Sequence, residues 1–222
     1  MTISGTLGLA AVMCCTCTWP ESILFSNHVR LAGDMTLEAD LFFWRLDRIT
    51  SGSVTKALAG DGSSAVHYTY SESRLLGLVK RQREWQVVHT ASGPDFRSDE
   101  DGKVYRYRRQ GGPPPLPAPA DASDFQCERA RDSFGAGLKS NPKFGTVAGY
   151  RVVIYESDDE DQSASFAFAP DLGCLVMRSS YRQRMRFGIP IEIGWWQVTA
   201  VRRGTPDPRL FAFPQGRVIV DE

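Results

Sequence analysis

The sequence has no surplus of charge of either sign: 26 Lys and Arg stand against 26 Asp and Glu. A domain that grips nucleic acid through its phosphates carries a basic excess, so no nucleic-acid partner is expected. Histidine is scarce, with three in 222 residues, and His28, His67 and His89 are far apart. None has another His, Cys or carboxylate at metal-ligand spacing. The Gly-x-Ser-x-Gly elbow is missing, and Gly145-Thr-Val-Ala-Gly149 lacks the Lys-Ser/Thr ending of a phosphate loop. The sequence therefore indicates no catalytic residue, no metal and no cofactor, and a non-enzymatic protein is expected. Apolar runs are short. None approaches the ~20 residues that a helix needs to cross a bilayer, so no transmembrane span is expected. With 20 Gly and 13 Pro, the composition is that of an ordinary globular chain.

Basic residues are also missing locally. The first is Arg30. Inside this uncharged-to-acidic start, Leu7 to Cys17 is a run of apolar and small residues closed by Trp19-Pro20. Its length suits the apolar region of a secretory signal. Residues 1–18 are read as a signal-peptide remnant, and residues 19–222 as one β-rich domain. The alternative is a core strand holding Cys14, Cys15 and Cys17. Beyond those three, only Cys127 and Cys174 remain. In an exported chain two thiols pair; otherwise they are two buried free cysteines.

Residues 111–120, Gly-Gly-Pro-Pro-Pro-Leu-Pro-Ala-Pro-Ala, favour extended geometry and cannot enter a sheet interior. They form a long surface loop. After it, apolar alternation dominates: Tyr150, Val152 and Ile154; then Phe166 and Phe168; then Leu175 and Met177. Period-2 patterning between short turn signals argues antiparallel hairpins. Ile189, Ile191 and Ile193 hold one phase, and Trp196, Val198 and Ala200 hold the other, which suggests a bulge at Gly194-Trp195. Before the loop, strands are expected around 66–70, 85–89 and 103–108. Thr36 to Ile49 fits either period, and a helix is favoured. A short helix is also expected over 124–138.

Two charged constellations stand out. Arg178, Arg182, Arg184 and Arg186 share a parity and, on one strand face, form a candidate anion-facing row. Asp158-Asp159-Glu160-Asp161 could hold calcium through oxygen ligands, but a solvated hairpin tip is the simpler reading.

The order of three pieces resembles a known family. Val147-Ala-Gly-Tyr150 leads into a strand; Ser165 to Cys174 reads Ser-Phe-Ala-Phe-Ala-Pro-Asp-Leu-Gly-Cys; and Gly204-Thr-Pro-Asp-Pro-Arg-Leu-Phe-Ala-Phe-Pro214 follows near the end. Across about 70 residues, 146–216, this resembles secreted bacterial proteins of the lipoprotein-carrier type (the lipoprotein localisation factor). The resemblance implies a mainly β, α+β fold. A curved open antiparallel sheet or half-barrel would hold one or two helices on its concave face. It also implies a periplasmic or secreted protein of the bacterial envelope that binds a lipid or lipoprotein acyl chain. The candidate apolar ligand face is Tyr150, Val152, Ile154, Phe166, Phe168, Leu175, Met177, Ile191 and Ile193, which could equally be plain core. A structural or protein-interaction role without a cavity is the alternative, and a secreted hydrolase of unrecognised type the third.

Overall fold

The computed structural model describes residues 34–45, 47–74, 77–91, 95–98, 103–107, 127, 138, 141–184, 189–212 and 219–221. The signal-like start, the Pro-rich loop, Arg186 and nearly all of the expected 124–138 helix lie outside them.

Twelve strands form one open sheet. In chain order they are β1 (Met35–Arg45), β2 (Arg48–Leu58), β3 (Ser64–Arg74), β4 (Val79–His89), β5 (Asp95–Ser98), β6 (Val104–Tyr107), β7 (Lys143–Val147), β8 (Tyr150–Asp158), β9 (Gln162–Ala169), β10 (Leu175–Arg184), β11 (Pro190–Arg203) and β12 (Ile219–Asp221). The spatial order is β12-β6-β5-β4-β3-β2-β1-β11-β10-β9-β8-β7. Two meanders, β1–β6 and β7–β11, therefore meet where β1 pairs with β11. Every pair is antiparallel except β12 with β6. The sheet is strongly curved. Although β8, β9 and β10 separate them, β7 and β11 approach within 8 Å between Cα atoms.

Turn chemistry explains the hairpins. Between β7 and β8, Ala148 (φ 48°) and Gly149 (φ 83°) both take positive φ, the backbone of the two-residue turn that matches strand twist. Between β9 and β10, Pro170–Leu172 forms one 3-10 turn that Gly173 closes in the left-handed region. Cys174 is also left-handed (φ 62°), and its N–H donates to Ala169 O at 2.9 Å. The sulfur of Cys174 is bonded to Cys127, with Cα atoms 5.1 Å apart. Cys127 is helical and buried, and the bridge fastens it to the sheet.

Thr36 to Ile49 is not a helix. It is β1 and the turn into β2, because both edges of Met35–Arg45 are hydrogen-bonded, to β2 and to β11. Two neighbours decide a period that the isolated segment leaves open. Gly194 is not a bulge either: it pairs in regular register with Phe43 and Tyr181. Along β11 two irregularities lie elsewhere. One falls between Glu38 and Ala39, opposite Thr199, whose Oγ1 donates to Glu38 O at 3.1 Å. The other falls between Gln183 and Arg184. Glycine is needed at 194 because a Cβ there would sit 2.2 Å from Cε1 of Tyr181.

Register assigns the faces. Met35, Leu37 and Ala39 are buried on one face of β1, opposite Leu58, Lys56 and Val54 of β2. The same face continues through Val66 and Tyr68 to Val87 and Trp85, and on the other side through Val198 and Trp196. This is the inner, core-facing side. Tyr68 and Trp85 stack on it, with centroids 3.9 Å apart. After β11 the chain crosses towards β3 and β4. Gly204 N and Thr205 Oγ1 bond to Asp34 at 3.0 and 3.1 Å. His67 Nε2 lies 2.7 Å from Leu210 O, and Gln86 Nε2 donates to the same oxygen at 3.1 Å.

Two predictions follow from these contacts. A Cβ at Gly52 would lie 2.2 Å from Thr69 O and 2.5 Å from Tyr70 Cα. Gly52→Ala should therefore cost about 2–4 kcal/mol by overpacking against backbone, read as a lower denaturant midpoint; an unchanged midpoint contradicts the close β2–β3 approach. Opening the disulfide, which spans a separation of 47 residues, should cost ~4 kcal/mol in the chain-entropy picture. Equal midpoints for Cys127→Ser and the parent chain would contradict that contribution.

Candidate functional site

The nine residues expected to share an apolar face do not. Phe166 and Phe168 lie opposite Tyr155 and Val153. Val152, Ile154 and Tyr150 therefore point to the other side of β8, because neighbouring strand residues alternate. Phe168 meets Tyr155 edge-on at 5.9 Å and Phe166 at 6.4 Å between centroids. Leu175 and Met177 are fully buried beside an irregularity in register between Val176 and Arg178. Ile193 pairs with Trp44 and Arg182, on the outer side, and Ile191 is the extra residue at the irregularity opposite Gln183 and Arg184. The phase change at Gly194 needs no bulge: Ile193 faces out, and Trp196 and Val198 face in. Alternation within single strands was legible, but the registers that join strands were not.

The arginine row also divides. Arg178 and Arg182 are on the outer side, opposite Gln197 and Ile193. Arg184 is turned to the β8–β9 hairpin tip, where it reaches Asp158 Oδ1 at 3.3 Å, Asp159 O at 3.4 Å and Ser163 Oγ at 3.4 Å. Its backbone N–H donates to Asp161 O at 2.8 Å. Thus the acidic run forms a hairpin tip braced by one guanidinium.

What the structure does bring together is a graded inner face. Its closed end is apolar and surrounds a buried lysine. Lys56 lies in a cavity of about 10 Å³ with Leu37, Ala39, Val54, Leu175, Val176, Trp196 and Val198. Burial lowers its pKa from 10.5 to about 8. The volume is that of one water, far below the ~300–1,000 Å³ of a typical ligand pocket. Towards the β1–β2 and β3–β4 turns the face becomes a half-buried strip of Leu41, Phe43, Tyr70, Trp85 and Phe166. Beyond the strip it turns basic. Arg45, Arg48 and Arg74 are directly opposed across β1, β2 and β3, and Arg81 and Arg83 follow on β4 opposite Glu72 and Tyr70. Glu72 is buried between arginines, 3.5 Å from Arg48 Nη1 and 2.6 Å from Arg74 Nε. Tyr181 crosses Gly194 to donate its hydroxyl proton to Glu192. Burial, then the Glu192 hydrogen bond and charge, push its pKa far up, against a smaller opposing effect of Arg45. Sequence reasoning missed this basic corner, because its members come from four strands and only register unites them.

One His–carboxylate pair braces the sheet: His89 Nδ1 lies 3.0 Å from Asp95 Oδ2, and Thr90 N donates to Asp95 Oδ1 at 3.1 Å. Asp95 is buried and ties the end of β4 to β5.

No protein-family model matches the sequence, and no curated protein sequence does. Similar solved structures include the complex of MucB with the periplasmic part of MucA, at TM-score 0.44 and 14% identity over 88% of this chain and 58% of that one. They also include a LolA superfamily protein from Nitrosomonas europaea, at 0.28 and 9% over 87% and 97%. A third is a putative outer membrane lipoprotein-sorting domain from Vibrio parahaemolyticus, at 0.29 and 8% over 86% and 96%. The chain spans about three fifths of the MucB chain in that complex. The lipoprotein-carrier group that residues 146–216 resemble is thus among them.

Lys56 yields a prediction about pH. Its folded pKa is depressed, so between pH 8 and 10.5 the unfolded chain holds a proton that the folded chain has released. Stability should therefore rise with pH across that window, by about 2 kcal/mol between roughly pH 7.5 and 9.5. Urea unfolding at both pH values checks this. The rise should vanish in Lys56→Met; a flat wild-type profile, or the same rise in the variant, contradicts it.

Proposed function

We propose that the protein is a non-enzymatic component of the bacterial envelope that binds the apolar part of a lipid or lipoprotein partner on the inner face of its sheet. The observation that carries this reading is the half-buried strip Leu41, Phe43, Tyr70, Trp85 and Phe166. A closed core buries such side chains fully, whereas these continue the core surface outward to the sheet's basic end. Each methylene laid against them would gain ~0.8 kcal/mol. The Cys127–Cys174 disulfide supports an oxidising compartment, and the envelope proteins named above are in keeping with it. A second reading has its own support. The cavity beside Lys56 holds about 10 Å³, which suits a protein that binds another protein rather than one that encloses a chain.

Protein purified from the envelope fraction should yield a co-purifying acylated species in native mass spectrometry. Phe43→Asp should weaken binding of a fluorescent fatty acid at least tenfold while leaving the far-ultraviolet dichroism unchanged. Absence of any acylated species, together with unaltered binding in Phe43→Asp, would favour the protein-interaction reading.

A further inference from the structure

Of the large apolar side chains exposed among the described residues, four lie at one end of the sheet: Ile49, Leu78, Val79 and Ile189. Leu78 is 87% exposed and Ile189 58%. They come from the β1–β2 turn, the β3–β4 turn and the connection into β11, which antiparallel register places side by side. Just behind them, on the outer side, Trp44 pairs with Ile49 and Ile193, and Phe42 stacks on Trp195 at 6.1 Å. Apolar patches of this kind on a soluble fold mark contact surfaces.

The charge at this end identifies the contact. Among the described residues of β1 to β4 and their turns here, six side chains are basic: Arg45, Arg48, Arg74, Lys80, Arg81 and Arg83. Three are acidic: Asp47, Glu72 and Glu84; Glu192 of β11, opposite Arg45, adds a fourth beside Ile189. Arg45, Arg48 and Arg74 directly oppose one another; Glu72 pairs with Arg48 and Arg74, and Asp47 lies 3.9 Å from Arg45, which still leaves these four strands with a basic surplus at this end. The remainder of the chain compensates, since its net charge is zero. We propose that this end of the sheet docks on an anionic lipid surface, with Leu78 and Ile189 entering the headgroup boundary. Trp44 and Trp195 would lie at the interface, and the arginines and Lys80 would hold phosphates. Tryptophan and basic side chains suit that layer. A protruding leucine suits a deformable lipid phase. A second copy of the chain would present the same basic surplus and be repelled. The acidic β8–β9 tip, braced by Arg184, lies at the same end but beyond β9 and β10, and marks the limit of the contact. Docking in this way would turn the basic end of the inner face towards the bilayer, whichever partner that face takes.

Co-sedimentation of the full chain with vesicles tests this surface. One set would be equimolar phosphatidylglycerol and phosphatidylcholine, the other phosphatidylcholine alone. The apolar run at residues 7–17 is common to every variant, so differences among variants report the docking end. Wild type should bind the anionic vesicles at least tenfold more tightly than the neutral ones, and the preference should fall with added salt. Leu78→Glu, and the double variant Lys80→Glu with Arg81→Glu, should each lose at least tenfold. Phe144→Glu, at an exposed site on β7, should bind as wild type does. Binding by Leu78→Glu equal to wild type, or equal affinity for both vesicle types, overturns the proposal. So does a wild-type chain that ignores vesicles and dimerises through Leu78.

Discussion

The pairing of β1 with β11 is the contact on which the remaining structure depends. It runs from Met35–Arg203 to Arg45–Glu192 and joins two meanders that would otherwise be separate sheets. Each meander is made of local hairpins. The junction is not: its partners are more than 140 residues apart. The Thr199 irregularity, filled by a side-chain hydrogen bond to Glu38 O, bends the sheet at this junction. Bulges of this kind increase local twist. Curvature then brings β7 back towards β11, which closes the apolar end of the inner face.

From that junction the inner face is read as a gradient. Near Met35 and Val198 it is closed core. Around Lys56 it holds a charge at the cost of a lowered pKa. Past Leu41 and Tyr70 it opens, and by Arg48 and Arg81 it is basic. An amphiphile has the complementary order, with an apolar chain and a polar head. The Pro208–Phe211 turn, bound through His67 and Gln86, lies on the far side of the sheet's midline from the arginines. It gives the chain a route from β11 across to β12 at the opposite edge.

Hairpin-scale structure was legible in the sequence, because its causes are local. The alternation at Tyr150–Ile154 and Phe166–Phe168, the Ala-Gly turn before Tyr150 and the Pro-Asp-Leu-Gly turn before Cys174 all announce themselves within ten residues. The pairing of the two late cysteines was expected for an exported chain, with two buried free thiols as the alternative, and the bond is present. Other features depended on partners. Met35–Arg45 carries a usable helical period, and only hydrogen bonds on both edges make it a strand. The phase change at Gly194 resembled a bulge, yet it records that Ile193 faces outward while Tyr181 covers the glycine. The nine-residue apolar face failed because even-numbered residues of β8 and β9 point to opposite sides once register is set. The same register assembles the arginine corner from β1, β2, β3 and β4, which no single stretch of sequence displays.

The central claim is that the inner strip between core and arginines is where an apolar ligand lies. Amide hydrogen exchange with and without saturating fatty acid measures this directly. Slower exchange confined to the stretches around Leu41–Phe43, Tyr70, Trp85 and Phe166, with β7 and β8 unchanged, is the expected result. Unchanged exchange along that strip in the presence of bound fatty acid would contradict the account.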